Sequence, residues 1–188
     1  GVIIPEIVHF FFSTVISGIE DVAYTAGYNV ILAQSNESYQ REMTDMKALF
    51  NSRVDGMLLS VSRETTNFDH IESIISKGVP IVFDDRMYNS PTSSKVIVDD
   101  YAGAKDAVSH LIEQGCKRIA HLNGAPNLII SVDRFRGYTE ALEENKMNII
   151  DGLVVNCPSG TFEEGKKAAK KLLELPNPPD AIFANNDP

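Results

Sequence analysis

Eight short apolar runs, each too brief for a helix, constrain this chain more than any other feature. They are Val2-Ile3-Ile4, Val30-Ile31-Leu32, Met57-Leu58-Leu59, Ile81-Val82-Phe83, Val96-Ile97-Val98, Ile119-Ala120-His121-Leu122, Leu153-Val154-Val155 and Ala181-Ile182-Phe183. Nearly all are continuous rather than alternating, which is the pattern of parallel strands covered on both faces. Between them apolar residues recur at helical spacing. Val15, Ile16, Ile19, Val22 and Ala23 share one face, and Ala104, Ala107, Val108, Leu111 and Ile112 another. Ala168, Ala169, Leu172 and Leu173 do the same, as do Met43, Met46 and Phe50, with a shorter set at Ile71, Ile74 and Ile75. Strands alternating with helices imply right-handed crossovers and a doubly wound sheet.

The punctuation agrees with this reading. Gly27-Tyr28, Gly78-Val79-Pro80 and Gly115-Cys116 each stand between a helical pattern and the next run. Glycine tolerates the left-handed conformation that closes a helix, so each is a junction with a mechanism. Asp69 and Thr161 occupy expected N-cap positions.

One irregularity marks a boundary. Residues Asp84 to Lys95 form a polar stretch with no helical pattern, so Val96–Val98 reads as a strand following a strand without a crossover helix. Alternation resumes after Asp99-Asp100. The expected fold is α/β, with two doubly wound parallel-sheet lobes: an amino-terminal lobe over 1–98 and a carboxyl-terminal lobe over 99–188. The second lobe reads as incomplete, because the last run leads into Asn185-Asn186-Asp187-Pro188 with no helix to cover it.

Composition narrows the function. The formal charge is −9, and the densest basic run, Lys166-Lys167 with Lys170-Lys171, has the spacing of a solvated helix face. Phosphate-neutralising surfaces need clustered Lys and Arg, so this chain alone is not expected to bind nucleic acid. No apolar run approaches the roughly 20 residues of a membrane helix, and no partner membrane is expected. Cys116 and Cys157 are far apart and read as reduced thiols of the cytoplasm. The tripeptide Asn36-Glu37-Ser38 matches a glycosylation acceptor only by coincidence.

Ligands of open α/β sheets bind beyond the carboxyl ends of the strands. The segments there are His9-Phe10-Phe11-Phe12-Ser13, Ser60-Val61-Ser62, Asp84-Asp85-Arg86, Asp99-Asp100, Asn123-Gly124 with Arg134 further on, and Asn185-Asn186-Asp187. Carboxylates and amides take paired hydroxyl bonds, and aromatic faces pack on the apolar side of a ring. The set suits a polyol or nucleoside. Each member also has a plainer role open to it: core packing for the phenylalanines, an ion pair for Asp85-Arg86, a helix cap for Asp99 or Asp100, a solvated face for Arg134, a turn for Asp187.

Catalytic signatures are missing. The sequence has no GxSxG, no GxxxxGK[ST] and no GxGxxG, and Asn123-Gly124-Ala125-Pro126 reads as a turn. His9, His70, His110 and His121 never pair at metal-ligand spacing. The expectation is a binding protein, not an enzyme, with no cofactor and no metal.

The segments GVIIPEI, FFSTVISGIEDVAYTAGYNVILAQSNES, RVDGMLLSVSRET, GVPIVFDDR, VIVDDYAGAKDAVSHLIEQGCKRIAHLNGA, DRFRGY and DAIFANNDP together resemble the effector-binding domain of the lactose-repressor/galactose-repressor transcription factors. The resemblance runs over essentially the whole chain. It implies a periplasmic-binding-protein-like pair of lobes hinged around an effector cleft, acting as a homodimer whose helix-turn-helix headpiece, missing here, binds operator DNA. It also implies roles for particular residues. Phe11 and Phe12 match a first-lobe pocket segment, Ser62 a pocket position after the third strand, and Asp85 the pocket acid after the fourth. Arg134 matches the arginine that clamps effector, Asp187 the second-lobe acid, and Phe162 or Ser159 the pocket wall. Leu128 stands where purine-binding relatives carry a second arginine, which argues against a purine. The expected function is the sugar-sensing core of a bacterial transcriptional regulator. A secreted sugar-binding protein of a transporter is the alternative.

Overall fold

A computed structural model describes residues 1–8, 10–88 and 93–187. The chain divides into two compact units, Gly1–Ile97 and Val98–Pro188. Unit 1 contains β1 (Val2–Ile4), α1 (Phe10–Thr25), β2 (Leu32–Gln34), α2 (Tyr39–Asn51), β3 (Met57–Leu59), α3 (Asp69–Ser76), β4 (Ile81–Asp84) and β5 (Ser94–Val96). Its sheet has the order β2-β1-β3-β4-β5, with every pairing parallel. Unit 2 contains α4 (Asp100–Glu113), β6 (Ile119–Asn123), α5 (Ile129–Glu144), β7 (Val154–Asn156), α6 (Phe162–Leu173) and β8 (Ala181–Ala184), with parallel sheet order β7-β6-β8.

The continuous apolar strands are continuous because both faces of each sheet are covered. In β1, Ile3 packs with Met46 and Leu49 of α2 and Ile71 and Ile74 of α3, while Val2 and Ile4 pack with Phe12 and Ile16 of α1. Full burial of a side chain such as Ile3 contributes about 1.5–3 kcal/mol. In β6, Ile119 packs with Val108, Tyr138 and Leu142 on one face, and Ala120 with Leu153 and Leu172 on the other.

Two strands differ from expectation by two residues, and β7 by one, running over Val154–Asn156 in place of Leu153–Val155. β2 starts at Leu32, because β1 itself begins at Val2 and the ladder pairs Val2 with Leu32; the carbonyl of Ile31 only accepts the Val2 N–H, at 2.8 Å. β5 ends at Val96 because its partner β4 ends at Asp84, so Ile97 and Val98 lie beyond the ladder. Val22 is another correction. It is 70% exposed, and α1 buries Phe12 and Ile16 instead, with Ile19 packed beside them.

Gly27, Gly78 and Gly115 take φ of +79°, +86° and +93°, the left-handed closure expected of them. Thr161 caps α6 through Glu164 N–H. Asp69 is not a cap: it is the first residue of α3, and Asn67 Oδ1 accepts its N–H at 2.8 Å.

Candidate functional site

All the strands of unit 1 run the same way, so the segments after β1, β2, β3 and β4 emerge at one edge of its sheet. At the start of α1, successive side chains point about 100° apart. Phe12 turns into the core at 4% exposure, while Phe11 is 49% exposed and meets Phe12 edge-on at 5.1 Å. Phe12 therefore packs in the core, and Phe11 is the outward ring of the pair. His9 lies outside the described residues.

After β3 the chain turns inward. Ser62 is fully buried, and its hydroxyl lies 2.8 Å from Thr65 Oγ1, so it faces the chain and not the open edge. The anchor is Glu42 of α2, fully buried, which accepts from Ser62 N–H at 2.5 Å and Thr65 Oγ1 at 2.8 Å, with His70 Nε2 at 2.9 Å.

After β4, Asp85 sits at φ +60°, a conformation few non-glycine residues adopt. Its N–H donates to Val96 O at 3.1 Å, and its carboxylate lies 3.7 Å from Arg86 Nε. Burial, and secondarily the charge of Asp85, pushes the Asp84 carboxyl above its ordinary value. Arg86 reaches back to Glu37, after β2, donating Nη1 to both carboxylate oxygens at 2.7 and 2.9 Å. Glu37 also accepts from Arg63 N–H at 2.7 Å and Arg63 Nη2 at 3.0 Å.

The corresponding edge of unit 2 is built around Arg134 of α5. Its Nε and Nη2 each lie 2.7 Å from Asp100 Oδ1, and Nη1 donates to the carbonyl of Asn185 just past β8. Asn185 donates its own N–H to Leu122 O at 2.9 Å, fixing it to β6. A Cβ on Gly124 would lie 2.4 Å from both Asn185 Nδ2 and Ser131 Oγ, so glycine is needed for this close approach. Asp187 is exposed, and Phe162, the first residue of α6, is 62% exposed. Leu128, immediately before α5, is buried at 8% exposure. Ser159 approaches Glu164, its N–H donating at 2.8 Å.

Five buried polar atoms at these two edges have no hydrogen-bond partner among the described residues: Ser60 Oγ, Asp84 Oδ2 and Arg86 Nε in unit 1, Asn123 Oδ1 and Asn185 Oδ1 in unit 2. Such atoms are uncommon in folded proteins. A mainly apolar groove at the opposite edge of the unit 1 sheet, lined by Ile19, Ala23, Tyr28, Val30, Leu58 and Val82, contains none of the expected site residues. Among the described residues there is no cluster of His, Cys, Asp or Glu able to hold a metal, and no helix long and apolar enough to cross a membrane.

The family described as periplasmic binding proteins and sugar binding domain of LacI family matches residues 1–188. The chain belongs to this family. The ribose operon repressor of Halalkalibacterium halodurans is 34% identical over 187 residues, spanning 100% of this LacI-family chain and 54% of the repressor. The chain therefore spans about half the length of that curated relative. The crystal structure of transcription regulator CcpA of Lactococcus lactis superposes with a TM-score of 0.88 at 26% identity, covering 100% of this chain and 67% of that one. A complex of transcriptional regulator CelR with cellobiose gives a TM-score of 0.83 at 28% identity, covering 97% and 57%.

Sequence reasoning missed Glu37, Glu42 and the Asp100 partner of Arg134. No motif marks Glu37 or Glu42; each becomes visible only when distant segments meet.

Proposed function

We propose that this LacI-family chain is the effector-sensing part of a bacterial DNA-binding transcriptional regulator, and that it binds a sugar or related small polar molecule. The supporting observation is the set of five buried polar atoms without a hydrogen bond, among the described residues, at the carboxyl edges of the two sheets. Sugar hydroxyls donate and accept, so one ligand class can serve Arg86 Nε, the Ser60 hydroxyl and the three acceptor oxygens. The cellobiose complex of a structural neighbour points the same way.

In this reading Phe11 packs on the apolar face of the ring, and Asp85, Arg134 and Asp187 bind hydroxyls. Phe162 lines the wall. Phe12 and Ser62 act from behind, by fixing the segments that carry the contacts. No bond is made or broken; the event is binding, and its free energy shifts a conformational equilibrium. That shift reaches operator DNA through a headpiece outside this chain, in a cytoplasmic homodimer.

Isothermal titration of the full-length protein with a sugar panel tests the reading, paired with operator binding measured with and without each sugar. A saturable signal from one sugar, with changed operator affinity, is the expected result. Silence across pentoses, hexoses and disaccharides would refute it.

A further inference from the structure

Resting on the effector reading above, the geometry points to an uncharged effector: Glu37 fills, as an internal anion, the place at the unit 1 edge where a phosphate ester would otherwise be held. Two guanidiniums converge on that edge, and converging arginines ordinarily signal phosphate or carboxylate recognition. Here the recognition is already satisfied from within. Glu37 takes Arg86 Nη1 on both oxygens at 2.7 and 2.9 Å, Arg63 Nη2 at 3.0 Å and the Arg63 N–H at 2.7 Å. These are the donors a bound phosphate would use.

The carboxylate is also held in place by its backbone. Asn36 and Glu37 have φ of +49° and +59°, a conformation that side-chain-bearing residues adopt only when their surroundings enforce it. The turn that carries Glu37 is thus committed to presenting it. Ser35 N–H and Asn36 N–H donate to Ile4 O and Pro5 O at 3.0 and 2.8 Å, tying that turn to the segment after β1.

The remaining charges agree. In unit 1 the edge carries Glu37, Asp84 and Asp85 against Arg63 and Arg86; in unit 2 it carries Asp100 and Asp187 against Arg134. Each edge is net negative, and no lysine lies in the segments 35–38, 60–65, 84–88, 123–128 or 185–187. Among the described residues the amino end of α1 carries no cationic side chain and offers backbone N–H groups with a fractional charge of about half a unit. A dianion would meet more carboxylate than free cation. A polyol would meet acceptors and donors in the balance it needs.

The test is calorimetry on the full-length protein with matched pairs: D-ribose with D-ribose 5-phosphate, D-glucose with glucose 6-phosphate, cellobiose with cellobiose 6-phosphate, and inorganic phosphate alone. The free sugar of the binding pair is expected to bind at least tenfold more tightly than its ester, and inorganic phosphate not at all. In Glu37→Gln, which keeps the shape and removes the charge, the gap should narrow at least tenfold. An ester binding the unaltered protein as tightly as its free sugar overturns this inference while leaving the sugar-effector reading intact. Silence across the whole sugar panel, free and esterified, overturns both. The comparison within the unaltered protein decides the matter even where Glu37→Gln folds poorly.

Discussion

Arg134 sets both Nε and Nη2 against a single carboxylate oxygen of Asp100, each at 2.7 Å, while its remaining terminal nitrogen donates to the carbonyl of Asn185. One side chain thus ties the start of α4 to the segment after β8. Arg134→Ala should lower effector affinity at least tenfold and also destabilise the fold by about 1–3 kcal/mol, since Asp100, 7% exposed, loses its partner. Arg134→Lys should restore little, because a point charge cannot reproduce the two-pronged contact. Titration calorimetry and thermal unfolding check the two effects separately. An unchanged affinity in Arg134→Ala would remove Arg134 from the site.

Removing Glu42 should be costly. Its carboxylate takes Ser62 N–H and Thr65 Oγ1 and lies 2.9 Å from His70 Nε2 with no exposure to water. Glu42→Ala leaves buried donors unpaired and should lower stability by about 3 kcal/mol; Glu42→Gln, which keeps an acceptor, should cost roughly half that. Urea unfolding at constant m-value measures both. A loss below about 1 kcal/mol in Glu42→Ala would show that the network contributes little.

Gly137 lets α4 and α5 approach closely. A Cβ there would stand 2.5 Å from Tyr101 O and 2.8 Å from Lys105 N, both backbone atoms that cannot step aside. Gly137→Ala should therefore destabilise unit 2 by about 1–3 kcal/mol, despite the better helix propensity of alanine. Thermal unfolding decides it: a raised Tm would contradict the packing described.

His121 should make stability depend on pH. Its ring is fully buried, stacked on Tyr138 at 4.9 Å and Phe183 at 5.0 Å, and Nδ1 donates to Phe183 O at 3.0 Å. Burial, outweighing the Phe183 bond, holds its pKa below the ordinary 6.5. The unfolded chain consequently takes up this proton first. The contribution is full above pH 6.5 and drains away as pH falls from 6.5 toward the lower folded-state value. His121→Phe, which keeps the stack, should flatten the stability profile in that window relative to the unaltered chain. Equal slopes for the two proteins, by urea titration at several pH values, would dismiss the effect.

Strand and helix order was legible because burial on both faces writes itself into continuous apolar runs, and because Gly27, Gly78 and Gly115 mark closures that only the left-handed conformation provides. Boundaries were less legible. The lengths of β2 and β5 are set by where β1 and β4 begin and end, which the strands' own residues do not encode. Arg134 was visible as a candidate, but its partner was not, because Asp100 is 34 residues away and reads locally as a helix-start acid. Glu37 lay inside a tripeptide dismissed as a chance glycosylation match, and its meaning came only from Arg63 and Arg86 folding onto it. Asp69 fits a cap by residue type, yet it is the first residue of α3 and Asn67 Oδ1 accepts its N–H.

Phe12 and Ile16 lock the rotational setting of α1 about its own axis, and Phe11 is attached to that setting by a single peptide bond. The aim of the outward ring is therefore chosen from the inside. A change of volume at position 12, inside the core, should swing Phe11 across the rim, so under the proposed reading ligand preference drifts through the interior while the exposed residues stay the same.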